Sequence, residues 1–265
     1  MLFRSCAGDW YWGVDRLYHL ERRLISLAAA RADSAASGTD AAGPSQVGLC
    51  FPRPALDPGP IRNDDRLRLE IFPSLRSPYT AIIFDKSLAL AREAGIPVTL
   101  RPVMPMVMRG VPAPAAKGVY IMLDAKREAE ALGVPFGNMY DPIGRAVLRG
   151  FSLWPFARER GREAEYISCF LRAAFSLGRP TGTDAGLRQV VEAAGLRWDE
   201  ALPYVDTPDH QAELEQNCVT LYDELGLWGV PSFRLRGPES EPDLCVWGQD
   251  RLWLVAAEIR RRLAR

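Results

Sequence analysis

Between Arg66 and Met104 the apolar residues change their period twice. "RLRLEIF" (Arg66 to Phe72) alternates apolar and polar positions, the two-residue period of a strand. After "PSLRSP" comes "YTAIIFDKSLALAREAG", whose apolar residues recur at helical spacing and which closes on Gly95, a helix stop. "IPVTLRPVM" (Ile96 to Met104) returns to a β-rich run, in which Met104 opens an alternating stripe with Met106 and Met108 that reads as a half-buried strand or as the lining of a hydrophobic substrate pocket. A strand, a helix and a strand joined this tightly predict a parallel βαβ unit, and such crossovers are nearly always right-handed.

The middle of the chain is helical. "YIMLDAKREAEALG", "GRAVLRGFSLWPFARERG", "REAEYISCFLRAAFSLG", "DAGLRQVVEAAG" and "DHQAELEQNCVTLYDELG" each carry a 3.6-residue apolar period, and most end in glycine. "GVPSFRLRG" (Gly229 to Gly237) and "DLCVWG" (Asp243 to Gly248) read as two strands about the polar turn "PESEP", and a last helix covers Gln249 to Leu263. The order β-α-β, helical block, β-β-α is an α/β fold of thioredoxin topology, with a helical domain inserted at about residues 105–225. This body, 66–265, is the size of one domain. Before it, residues 32–65 shift to Ala, Gly, Ser, Asp and Pro and read as a linker.

In such a fold the reactive group sits between the first strand and the first helix, because a helix N-terminus stabilises negative charge. Here that junction reads Ser77-Pro78-Tyr79-Thr80. A disulfide oxidoreductase places cysteines at the first and fourth of these positions. Serine and threonine cannot carry out dithiol exchange, but a serine hydroxyl can donate a hydrogen bond to the thiolate of a bound thiol. Val230-Pro231 opens an apparent core strand, where a proline cannot donate to the ladder. A cis bond there would turn the Val230 backbone toward the active-site helix, ready to pair with a bound peptide. In "WGQDRL", Gln249 and Asp250 begin the last helix. Asp250 reads either as a helix cap or as a partner for a bound amino group.

Taken together, the Ser-Pro-Tyr turn, "LRPVM", "GVPSF" and "WGQDRL" resemble the kappa-class glutathione transferases and the 2-hydroxychromene-2-carboxylate isomerases, within the DsbA-like group of thioredoxin-fold proteins. The resemblance covers about Leu67 to Leu263. It implies glutathione as cofactor, with Ser77 at its sulfur and Pro78 and Tyr79 completing that turn. Val230 and Pro231 match the backbone site for the cysteinyl moiety, and Gln249 and Asp250 the pair at the γ-glutamyl end. It implies an isomerase or transferase acting on a small aromatic or electrophilic substrate. The family's asparagine after the second strand has no counterpart, since no asparagine stands between Asp64 and Phe136. The residues also admit a second function class, a non-catalytic thioredoxin-like binding module in which Ser77 is a relic of a redox site.

Lysine plus arginine equals aspartate plus glutamate at 33 each, so no net field draws the chain to nucleic acid or anionic membrane. No apolar run approaches the roughly 18 residues that span a bilayer, and no secretory signal opens the chain. The five cysteines are scattered without a C-x-x-C pair, which suits reduced thiols in a cytoplasm. His19 and His210, far apart, suggest neither a metal site nor a triad.

Outside the body, "WYWGVDRLYHLERRL" (Trp10 to Leu24) matches "VWGQDRLWL" near the C-terminus: Trp12, Gly13, Asp15, Arg16 and Leu17 recur as Trp247, Gly248, Asp250, Arg251 and Leu252. Residues 1–31 therefore read as a strand–helix remnant resembling the end of a preceding thioredoxin-like domain, as in a truncated tandem. Such a remnant cannot bury its own leucines, so it is expected to dock on the body, to be covered by a homodimer or a partner domain, or to be disordered. Trp12 and Trp247 are expected to pack in a core.

Overall fold

A computed structural model describes residues 3–35, 49–50, 52–60, 65–111 and 114–264. The chain divides into two compact units, Met1–Ala55 and Leu56–Arg265.

The second unit is built on a four-stranded sheet. β3 (Arg68–Phe72) and β4 (Val98–Leu100) run parallel, joined by helix α2 (Pro78–Ala94). β5 (Ser232–Arg236) lies antiparallel on the other side of β3, and β6 (Leu244–Trp247) antiparallel to β5, which gives the order β4-β3-β5-β6. Helix α10 (Leu252–Leu263) closes the unit. This is the expected thioredoxin topology. Leu69, Ile71, Phe233 and Leu235 share one buried cluster with Ile83 and Phe84 of α2 and with Leu252, Val255 and Ile259 of α10. Each fully buried side chain of this size contributes about 1.5–3 kcal/mol.

The insertion between β4 and β5 consists of α3 (Ala115–Leu132), α4 (Arg145–Ser152), α5 (Trp154–Glu159), α6 (Glu163–Phe175), α7 (Asp184–Ala193), α8 (Trp198–Ala201) and α9 (Gln211–Val219). Phe151, Trp154, Phe156, Phe170 and Phe175 extend the same core into it. Gly150 permits a close approach: a Cβ there would lie 2.5 Å from the Phe170 ring and 2.8 Å from Leu75, just upstream of the Ser77 turn. No described helix is long and apolar enough to cross a membrane.

Two expectations change in the fold. β4 stops at Leu100 rather than reaching Met104. Pro102 and Pro105 carry no N–H for a ladder, and Met106–Arg109 instead form a 3-10 turn, so the methionine stripe is not the face of a strand. The helix expected over Asp209 to Gly226 opens after Val219 into a wide π-type turn, Thr220–Glu224, with Leu225 N–H bonded to Thr220 O at 3.0 Å. That turn carries Leu221 into a small second cluster with Phe72 and Val103.

The second unit also begins earlier than residue 66. Leu56 packs against the core, and Asp57 pairs with Arg260 at 2.7 Å. Much of the segment expected as a linker, 36–48, 51 and 61–64, lies outside the described residues.

In the first unit β1 (Phe3–Cys6) and β2 (Asp9–Trp12) form an antiparallel hairpin, succeeded by α1 (Leu17–Ala35). Ala7 and Gly8, at φ 51° and 86°, make the two-residue turn whose left-handed backbone suits the strand twist. The local course matches the end of the second unit step by step. A strand ends in Trp12 or Trp247, a glycine comes next at φ 80° or 114°, and a 3-10 turn spans Val14–Arg16 or Gln249–Arg251. A helix then begins at Leu17 or Leu252. Arg16 and Arg251 each donate to the carbonyl of the preceding aspartate, at 3.3 and 3.4 Å. Trp12 pairs with Phe3 of β1 as Trp247 pairs with Ser232 of β5.

Candidate functional site

The site starts at the N-terminus of α2. Ser77 precedes a proline, which holds it in the extended region (φ −94°, ψ 113°), the backbone an N-cap needs. Its Oγ accepts from the Thr80 N–H at 3.1 Å, and Pro78 fills the first helical position, where a missing donor costs nothing. Gly95, at φ 71°, ends the same helix. Ser77 is 8% exposed, and its hydroxyl donates to the Val230 carbonyl at 3.3 Å. Thr80 is fully buried, and its Oγ1 has no hydrogen-bond partner among the described residues.

Val230-Pro231 is cis, as expected, and delivers the Val230 carbonyl to Ser77. Gly229 is needed for packing: a Cβ on it would lie 2.5 Å from the Trp247 indole. Trp247 is 50% exposed and lies across Gly229, so it is a wall beside the cis bond and not a core residue. The Gly248 N–H donates to Pro231 O at 2.9 Å, which ties the Gln249–Arg251 turn to the same strand start, and that turn packs on α2. The structure thus brings Ser77, Pro78, Tyr79, Val230, Pro231, Gln249 and Asp250 to one end of the sheet. Asp250 is half-buried and lies inside its 3-10 turn; the N-cap positions of that turn and of α10 are Gly248 and Arg251.

Two carboxylates on α3 complete this end of the molecule, and sequence reasoning missed both. Asp124 is fully buried and accepts from the Tyr79 hydroxyl at 2.8 Å and the Tyr120 hydroxyl at 3.3 Å. Glu128, one turn on and equally buried, accepts from Gln249 Nε2 at 2.7 Å. The spacing in "YIMLDAKREAEALG" does not single them out, since Glu130 also directly precedes an alanine and is exposed. Gln249 is 4% exposed, and its Oε1 has no hydrogen-bond partner among the described residues. Leaving such an acceptor unmet costs about 1–3 kcal/mol.

The chain offers no activated thiol of its own in these surroundings. Burial pushes the thiols of Cys169, Cys218 and Cys245 above their ordinary range, and a hydrogen bond to Glu21 raises Cys50. All five cysteines are free. His19 lies in α1 and His210 just before α9; among the described residues no group of three or more His, Cys, Asp or Glu converges on a point. A separate cavity of about 470 Å³ beside β4, lined by Thr99, Arg101, Trp154 and Glu213 among others, includes none of the residues at the α2 N-terminus.

The arrangement can stabilise an anion at the α2 N-terminus, offer backbone beside a cis proline to an extended peptide, and receive a donor at Gln249. Residues 68–260 match the DSBA-like thioredoxin domain family. No curated protein matches the sequence. Among solved structures, a 2-hydroxychromene-2-carboxylate isomerase is similar with a TM-score of 0.59 at 17% identity, over 74% of this chain and 95% of that one. The cytosolic disulfide reductase DsbM of Pseudomonas aeruginosa gives 0.56 at 20%, over 74% and 99%. A probable DsbA oxidoreductase of Streptomyces coelicolor gives 0.54 at 21%, over 75% and 90%. The chain belongs to the DSBA-like thioredoxin domain family.

Proposed function

We propose that this protein is a glutathione-dependent isomerase or transferase acting on a small aromatic or electrophilic substrate, with Ser77 where a redox enzyme carries its cysteine. The observation that carries this reading is the Ser77 hydroxyl, held at the N-terminus of α2 by the Thr80 N–H with Val230 beside it. Two relatives in fold lend it support: one is a 2-hydroxychromene-2-carboxylate isomerase, and DsbM has been solved with GSH. The residues present fit the cofactor. Val230 and Pro231 would take its peptide backbone, and the unmet Gln249 Oε1, together with Asp250, would take its amino end.

Bound glutathione would supply a thiolate able to add to a conjugated carbon and leave again. The Ser77 hydroxyl then turns from the Val230 carbonyl to the sulfur, while the Thr80 N–H on its oxygen strengthens it as a donor. The α2 dipole favours the same negative charge. Reduced thiols throughout the chain suit a cytoplasmic setting, where glutathione is the thiol buffer.

Saturating glutathione, at 100 times its Kd, is expected to add about 2.7 kcal/mol of apparent stability in a thermal-shift titration. Ser77→Ala is expected to keep most of that binding while slowing turnover by about 10²-fold, the usual loss for one donor to a developing anion. Insulin reduction should stay at background in both proteins. A non-catalytic binding module is favoured by one observation, that Ser77 already has partners within the chain; binding without turnover on any conjugated electrophile would select it.

A further inference from the structure

We infer that Glu128 is a positioning residue, which fixes the Gln249 side chain so that its carbonyl oxygen is offered to the amino group of the bound ligand. This rests on the reading above. An ionised carboxylate only accepts hydrogen bonds, whereas an amide has one accepting and one donating end. The 2.7 Å contact between Glu128 and Gln249 therefore forces the amide nitrogen toward α3 and the oxygen away from it. That oxygen is the buried acceptor with no hydrogen-bond partner among the described residues. The orphaned atom is thus a consequence of Glu128, and a donor from outside the chain satisfies it.

The neighbouring turn of α3 does the same for the other end of the site. Asp124, four residues before Glu128, holds Tyr79, two residues after Ser77. One helix of the insertion thereby references the sulfur end and the amino end of the site to each other.

The experiment compares glutathione with its analogue lacking the α-amino group, glutaryl-cysteinyl-glycine, by isothermal titration of the full chain. Wild type is expected to prefer glutathione by about tenfold or more, which is about 1.4 kcal/mol. Glu128→Gln lets the amide turn over, and the preference should fall below about threefold while affinity for the analogue is retained. Gln249→Met should abolish the preference to the same degree, and the double variant should lose nothing further. Glu128→Met is the second variant if the first does not fold. A folded Glu128 variant with the wild-type preference overturns the inference, as does a wild type that binds both compounds equally. A wild type that binds neither overturns the glutathione reading and this inference with it, a result distinct from the other two.

Discussion

His210 sits just before α9 with its ring 6.5 Å from that of Phe151 and nearly parallel to it. Burial lowers its pKa below the usual imidazole value of 6.5, against smaller opposing contributions from Thr207 and Asp209. The unfolded chain then binds the proton more readily than the folded one, so this residue costs stability as pH falls below about 6.5 and costs none above it. Denaturant midpoints at pH 7.5 and pH 5 should show a larger acid loss for wild type than for His210→Phe, which keeps the ring packing. Equal losses would rule the residue out as a source of acid sensitivity. At this scale the sequence was legible wherever a local rule acts. Ser77 as a cap, Pro78 at the first helical position and Gly95 at the helix end follow from backbone preferences of a few residues. The hydrogen bond from Ser77 to Val230 spans the chain and needs the fold to bring the two together.

The repeated Trp-Gly-x-Asp-Arg-Leu stretch belongs to the scale of elements. In both places it is the end of a hairpin strand, a glycine at positive φ, a 3-10 turn and the first residue of a helix. We propose that the first unit is a second copy of the ββα end of a thioredoxin-like domain, with Val14, strongly exposed, where the other copy has the buried Gln249. The helices of the insertion obey a different constraint, contact. Gly150 lies inside α4, where alanine would ordinarily be the better helix former by about 1 kcal/mol. Here the added methyl would meet Phe170 and Leu75, both almost fully buried, so Gly150→Ala is expected to destabilise by about 1–3 kcal/mol. A thermal melt showing stabilisation would mean that the α4–α6 packing is looser than the structure describes.

At the scale of the whole molecule, the buried cluster of the second unit runs from Leu67 to Leu263, with Leu56 packed against it. Residues 56–265 expressed alone are therefore expected to unfold in one cooperative transition with a native-like circular dichroism spectrum; a broad, non-cooperative melt would show that the first unit is needed for folding. The topology of this unit was readable from sequence, because periods of two and 3.6 residues are imposed by which face each strand or helix buries, and element order then restricts the connections. The same logic placed Ser77 at a helix start and Val230-Pro231 just before a strand, since turns and strand starts demand particular residue types. Where β4 stops, at Leu100, and where α9 widens, after Val219, depends on what a neighbouring element packs against. Asp124 and Glu128 look in the sequence like ordinary charges of an amphipathic helix. Only the folding of α3 onto α2 and the last turn buries those two carboxylates and gives them Tyr79 and Gln249 as partners, because burial and pairing are properties of distance in space, which one-dimensional spacing does not carry.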